Sequence, residues 1–331
     1  MRSIILPDDR VGWLPFALWA GWRLCQRPET RPTVLLSSSF PHTAHLVGYI
    51  LHRMTGVPWV ADFRDGWTQN PYFGPPPRGI RHGIQHWLEK LVVRRAQGVI
   101  AVSEPIVRHL QSLRREGSPV LLLPNGFDPK DYPAEGSVSV RPGTIVYTGT
   151  LFGKRSPEGF FRAVAAVLQT KQDAALRLVF QTQLEPAYWD FAKELGIAQR
   201  LELLPMGSHS SALALQQQGD LLLLLEPDGP GAEIMMTQKV FEYLGSGRPI
   251  LAMVPEGACR ELLKKTGGAW LTDPAGVKEA AGYLANWLDG ERPPPVRVEE
   301  VAIYRRDKQA AVLGDFLNRI VSLSEDSKGK K

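Results

Sequence analysis

The stretch Asp220 to Val254, DLLLLLEPDGPGAEIMMTQKVFEYLGSGRPILAMV, constrains the fold more than any other. Five consecutive leucines, Leu221 to Leu225, cannot alternate between a buried and a solvated face, so both faces of that strand must be covered, as in parallel sheets flanked by helices. A polar Gly/Pro loop follows, then a short helix with Lys239 and Glu242, a Gly-Ser-Gly turn, and a second strand from Pro249 to Val254. The loop opens at the carboxyl end of the leucine strand, where open α/β sheets place ligands. Thr237 is a candidate N-cap, and Lys239 and Glu242, three residues apart, share one helix face. A cation and a carboxylate beside a helix N-terminus suit a ligand with phosphates and sugar hydroxyls.

The rest of the chain alternates strand and helix. Thr33 to Ser38 is a short apolar run ending in the polar cluster SSSFPHTAH, and Leu46 to Met54 then has helical periodicity. Val57 to Ala61 begins a strand whose end delivers Asp62, Phe63, Arg64, Asp65 and Trp67, a mixture that packing alone rarely requires. Trp87 to Ala96 reads as a helix, Gly98 to Val102 as a strand, Ser103 to Pro105 as a helix start, and Val120 to Leu123 as a strand ending in Pro-Asn-Gly. Residues 125–142 hold the densest mix of Pro, Gly, Asp and Ser, which marks an interdomain linker. Alternation resumes at Thr144 to Tyr147, passes through a glycine-bearing basic loop, Gly149 to Ser156, and ends in a helix from Gly276 to Leu288. The expected organisation is α/β: two Rossmann-like domains facing across a cleft, residues 1–130 and 143–318, joined by a linker at 131–142 and followed by a disordered tail at 319–331.

Charge is unevenly distributed. Residues 1–140 hold 16 Lys and Arg against 11 Asp and Glu, so the whole excess of +5 lies there. Such a half suits an anionic membrane or a pyrophosphate-bearing acceptor, or is simply a solvated surface. Nucleic acid is not expected, because the basic residues form no run interleaved with aromatics. Cys25 and Cys259 match no metal or redox spacing and imply a reducing compartment. No run reaches the ~18 apolar residues of a membrane span. Val11 to Leu24 comes nearest and carries Trp13, Trp19 and Trp22 between Arg10 and Arg23. It is either a helix lying at a lipid interface or a helix buried against the first sheet. A cytoplasmic protein, peripheral at the inner membrane face in the first case, is the expectation.

Four stretches in consistent order resemble the glycosyltransferases of family 4, retaining enzymes of the two-domain GT-B fold. They are Pro41 to Trp67, Gly98 to Tyr132, Ile145 to Pro157 and Lys239 to Ala252. The resemblance implies transfer of a sugar from a nucleotide-diphosphate donor to a glycan or lipid-linked acceptor in cell-surface polysaccharide synthesis, without metal or other cofactor. It also implies site roles. Glu242 would bind the ribose hydroxyls. Lys154 or Arg155 would bind the donor diphosphate with help from Lys239, fixed cations that stabilise the charge accumulating on a departing diphosphate. Gly149 would let the backbone approach the phosphates. Arg64 and Asp65 stand where many relatives have a His-Asp pair near the reacting sugar, and His42 lies in the loop beside it, so these three are the candidate catalytic residues.

Two departures from the family pattern qualify it. Relatives commonly carry two glutamates eight positions apart, but Ile234 stands eight before Glu242 and Glu233 is one step off. Either the loop absorbs the shift, or Glu233 faces solvent and backbone groups do the work of the first carboxylate. No strand with a glycine-rich turn opens the chain, so the first domain is expected to be N-terminally incomplete. Alternatives to a transferase are a nucleotide-sugar epimerase of the same architecture and a catalytically inactive nucleotide-sugar-binding protein. A dinucleotide oxidoreductase is excluded by the missing glycine fingerprint.

Overall fold

The structure, a computed structural model, describes residues 6–70, 79–133, 137–151 and 154–329. Residues 134–136 of the expected linker, 152–153 of the basic loop and 330–331 of the expected tail lie outside the described residues. The chain forms two compact units, Met1–Pro124 with Gln309–Lys331, and Asn125–Lys308.

In the first unit, strands β1 (Leu35–Ser39), β2 (Trp59–Phe63), β3 (Gly98–Ala101) and β4 (Val120–Leu122) pair in parallel in that order. Helices α2 (Thr43–Thr55), α3 (Ile80–Arg95) and α4 (Glu104–Leu113) connect them, and α1 (Leu14–Gln26) precedes β1. Pro15 stands within the first two positions of α1, where its missing N–H is no loss. Helix α1 packs on α2 through the close approach of Gly21 to Leu51.

The second unit begins with β5 (Arg141–Thr148), α5 (Glu158–Thr170), β6 (Arg177–Gln181), α6 (Pro186–Glu194), β7 (Leu201–Leu204) and α7 (His209–Gln218). It continues with β8 (Gly219–Leu225), α8 (Gln238–Ser246), β9 (Ile250–Met253), α9 (Ala258–Thr266), β10 (Ala269–Thr272), α10 (Val277–Leu288) and α11 (Val298–Ala302). Its parallel sheet has the order β10-β9-β8-β5-β6-β7. Strand β5 is central: the chain winds outward through β6 and β7, then returns to its other side with β8. The order reverses between β5 and β8, and loops leaving such neighbouring carboxyl ends part to form a crevice.

The leucine run behaves as its pattern demands. Leu221, Leu223 and Leu225 pack with Phe160, Phe161 and Val164 of α5 and Leu284 of α10. Leu222 and Leu224 pack on the opposite face with Val240 and Phe241 of α8 and Leu263 of α9. All five are buried, and each contributes about 1.5–3 kcal/mol relative to exposure.

The ends of the units differ from the expected boundaries. Residues 125–133 belong to the second unit: Phe127 joins its core, the Phe127 N–H donates to the Tyr304 carbonyl, and the Tyr132 hydroxyl donates to the Glu242 carbonyl at 2.8 Å. The last segment is helical through α12 (Arg306–Gly329) and, from Gln309 onward, returns to the first unit. Phe316 and Ile320 form a buried cluster with Val60 of β2 and Ile100 of β3. Gly98 permits this approach, since a Cβ there would lie 2.8 Å from Phe316 and 2.9 Å from Ile320. The expected disordered tail at 319–331 is therefore helix over its described part, because it carries the apolar stripe that covers the first sheet.

Candidate donor site and polar cluster

The loops leaving β5 and β8 bring four of the five expected donor residues into one neighbourhood of the second unit. Gly149 directly follows β5 with φ +98°, a conformation open to glycine, and a Cβ there would lie 3.1 Å from Cε and 3.2 Å from Nζ of Lys239. Lys239, in the first turn of α8, places Nζ 4.0 Å from the centre of the Tyr147 ring. Its Nζ is buried and has no hydrogen-bond partner among the described residues. Burial, with the nearby Arg155, pushes its pKa down to about 7 against the opposing pull of Glu226 and Glu242.

The adjacent basic residues Lys154 and Arg155 have separate situations. Lys154 is exposed, and its Nζ lies 3.0 Å from where a Cβ on Gly229 would stand. Arg155 is buried and donates from Nη2 to Glu226 Oε2 at 2.7 Å and from Nη1 to the Thr150 carbonyl at 3.3 Å. The other Glu226 oxygen accepts from the Thr237 hydroxyl at 2.6 Å. Thr237 is the N-cap of α8, but its hydroxyl makes no cap bond.

Glu242 lies one turn further along α8 than Lys239. Its carboxylate faces His209 Nε2 at 3.2 Å and accepts from Gln216 Nε2 at 3.4 Å. Gln216 also donates to the Thr148 hydroxyl at 3.0 Å. The carboxylate is thus held by an amide and an imidazole and retains acceptor capacity for hydroxyls. Glu233 is exposed, between the buried Ala232 and Ile234; the carboxylate buried among the cations is Glu226, at the end of β8. Sequence reasoning passed over Glu226, although a charge directly after a wholly buried strand was a signal for it.

The three expected catalytic residues belong to the first unit. His42 is buried and stacks on Trp67 with ring centroids 4.4 Å apart and planes 1° from parallel. Burial pushes its pKa down to about 4 against the raising influence of Asp8 and Glu89, so the imidazole is neutral at pH 7. Its Nδ1 has no hydrogen-bond partner among the described residues. Arg64 bridges strand ends: Nη1 donates to the Leu123 carbonyl at 3.2 Å and lies 3.7 Å from Asp62. Burial raises the Asp65 pKa while Arg64 lowers it.

Asp8 supplies what this loop lacks locally. Its carboxylate accepts from the Thr43 N–H at 2.9 Å and the Thr43 hydroxyl at 2.8 Å, capping α2 from 35 residues upstream. Glu89, also buried, accepts from the Thr68 hydroxyl at 2.6 Å and lies 3.2 Å from His109. Neither Asp8 nor Glu89 carries a local motif that marks this role.

Comparison with known proteins agrees with the architecture. Residues 4–126 match the family described as Glycosyl transferase 4-like domain. No curated protein matches the chain. Among solved structures, the chain is similar to sucrose-phosphate synthase from Thermosynechococcus elongatus, with 16% identity, TM-score 0.66, and coverage of 97% of this chain and 81% of the other. It is also similar to Anabaena HepE in complex with UDP and glucose, with 16% identity, TM-score 0.59, and 98% and 84% coverage. A putative UDP-N-acetylglucosamine 2-epimerase from Listeria monocytogenes is similar at 14% identity and TM-score 0.55, with 87% and 73% coverage. Residues 4–126 are thus similar to a glycosyl transferase 4-like domain, and the chain has the fold of the GT-B glycosyltransferases.

Proposed function

We propose that the protein is a retaining glycosyltransferase that takes a sugar from a nucleoside-diphosphate donor and passes it to a glycan or lipid-linked acceptor in surface polysaccharide synthesis. The observation that carries this reading is the Lys239 ammonium, buried beside Arg155 at the β5/β8 switch point and without an acceptor among the described residues. A buried ammonium without an acceptor is stabilised by an arriving anion, and its neighbourhood suits a diphosphate. Lys154 stands exposed on the same loop as Arg155, and Glu242 is one helical turn away to accept from ribose hydroxyls.

In the reaction, the bond between the anomeric carbon and the diphosphate oxygen breaks and the electron pair stays with the diphosphate. Lys239 and Lys154 stabilise that growing charge, so the site needs no metal for this purpose. The acceptor oxygen forms its bond to the anomeric carbon on the face the diphosphate leaves, and its proton passes to the departing phosphate oxygen. His42, Arg64 and Asp65 are proposed to serve the sugar and acceptor; the neutral His42, whose buried Nδ1 has no partner among the described residues, suits a hydrogen bond to a sugar hydroxyl.

The lipid-linked form of the acceptor rests on α1. No helix among the described residues is long and apolar enough to cross a membrane. Yet α1 and the residue before it expose Trp13, Phe16, Trp19 and Trp22, with the Arg23 guanidinium 4.7 Å from the centre of the Trp19 ring. Aromatics and arginine on one helix surface suit a bilayer interface.

The deciding experiment is a nucleotide-sugar panel assayed for binding and hydrolysis with wild type and Glu242→Gln. Donor affinity falling about tenfold or more in the variant, as for loss of a charged hydrogen-bond acceptor, supports the reading. No binding of any common nucleotide sugar, or unchanged affinity in the variant, overturns it. The likeness to the epimerase motivates a second reading, identified by a new sugar nucleotide formed without acceptor. Binding without turnover identifies an inactive binding protein.

A further inference from the structure

We propose that Glu226 is a positioning residue of the donor site, its two carboxylate oxygens tying the loop after β5 and the amino end of α8, which carries Lys239, to the end of β8. The inference rests on the donor-site reading. Three segments converge on this one residue: its carboxylate accepts from Arg155 at 2.7 Å and from Thr237 at 2.6 Å, and its backbone N–H donates to the Met253 carbonyl at the end of β9 at 3.2 Å. Thr237 holds the N-cap position of α8 but spends its hydroxyl on Glu226 rather than on a backbone N–H. That exchange fixes the first turn of α8, and with it Lys239, relative to the sheet.

Buried ion pairs seldom add net stability over an apolar replacement of similar volume, so stability alone is a weak reason for Arg155 and Glu226 to be charged. Their placement at the switch point gives a better one. Lys239 is faced by Arg155 from the β5 loop, by Glu226 from β8, by Glu242 on its own helix, and by the Tyr147 ring. Because Arg155 and Thr237 occupy both oxygens of Glu226, the carboxylate lends Lys239 its negative charge without taking up the ammonium's hydrogen-bond donors. The donors stay available to a phosphate oxygen. A carboxylate bonded directly to Lys239 would compete with that phosphate.

The test uses the full chain with uniformly 13C-labelled lysine. The Lys239 13Cε resonance, assigned by its loss in Lys239→Met, is followed from pH 5 to 10 in wild type, Glu226→Asp and Glu226→Gln. UDP affinity is measured over the same range. The expected result is a Lys239 midpoint at least half a pH unit lower in Glu226→Gln, with Glu226→Asp between, and at least about twofold weaker UDP binding at pH 7. Equal midpoints in all three proteins overturn the proposal. If Glu226→Gln does not fold, Glu226→Asp alone decides by the same comparison. If UDP binds none of the proteins, the donor reading falls, while the midpoints still decide whether Glu226 sets the state of Lys239.

Discussion

The Lys239 ammonium stands 4.0 Å from the centre of the Tyr147 ring, so the strand that begins the second sheet and the helix that follows its leucine strand meet through a cation and a π face. The contact partly replaces the water that burial removes. The replacement is incomplete, and the pKa of Lys239 is down at about 7.

This makes the free protein's stability depend on pH in a defined direction. Unfolded, Lys239 binds its proton up to about pH 10.4; folded, it releases it near pH 7. Between these values the unfolded state holds more protons, so stability rises with pH, and below pH 7 the full cost of the buried ammonium is present. Urea melts of wild type and Lys239→Met are expected to diverge accordingly: the substitution stabilises by a few kcal/mol at pH 6 and by progressively less toward pH 10. UDP binding has the opposite preference and weakens in wild type above pH 7.

Asp8 is expected to matter to the fold beyond its position near the start of the described chain. Asp8→Ala removes two hydrogen bonds at the amino end of α2 and leaves the Thr43 N–H and hydroxyl buried without them. The expected loss is about 2–3 kcal/mol, measured by chemical denaturation. Recovery of part of it in Asp8→Asn identifies capping rather than charge as the cause.

Helix α12 is expected to be a structural part of the first unit. Ile320→Ala opens a cavity against Val60 and Ile100 and costs about 2–4 kcal/mol. Amide exchange is the discriminating measurement: protection should fall in β2 and β3 and remain in β5 and β8.

Exposed aromatics on α1 are expected to hold the protein on anionic vesicles. Phe16→Ser with Trp19→Ser should reduce co-sedimentation with phosphatidylglycerol vesicles at least fivefold, while leaving the melting temperature and UDP affinity unchanged. Equal sedimentation of variant and wild type removes the lipid-facing role of α1.

Much of the second sheet was legible because its signals are local. Five leucines in a row state that both faces are covered, and a glycine followed by Lys154 and Arg155 states that a phosphate-compatible loop leaves the neighbouring strand. The partners of those residues were not legible. Arg155 and Glu226 are 71 positions apart, and nothing in the intervening sequence records that they pair. Asp8 caps α2 across 35 positions, while His42, the residue in the cap position, makes no side-chain cap bond. The α12 stripe was present as Leu313, Phe316, Leu317 and Ile320, spaced three and four apart, but nothing local says that it covers the first sheet, so the expected boundary at 318 left three of the four in the second domain and only Ile320 in the tail. Of the two readings open for Glu233, a shifted carboxylate or a solvent-facing one, its exposure agrees with the second. The chain turns it outward.

The return of α12 to the first unit has a consequence for biosynthesis. Synthesis runs from the amino end, so by the time Lys308 has emerged the second unit is present in full. At that moment the face of β2 and β3 that receives Phe316 and Ile320 is still bare. The half of the protein that is translated first is completed last, and a chaperone that shields an uncovered sheet face would find its substrate in that interval.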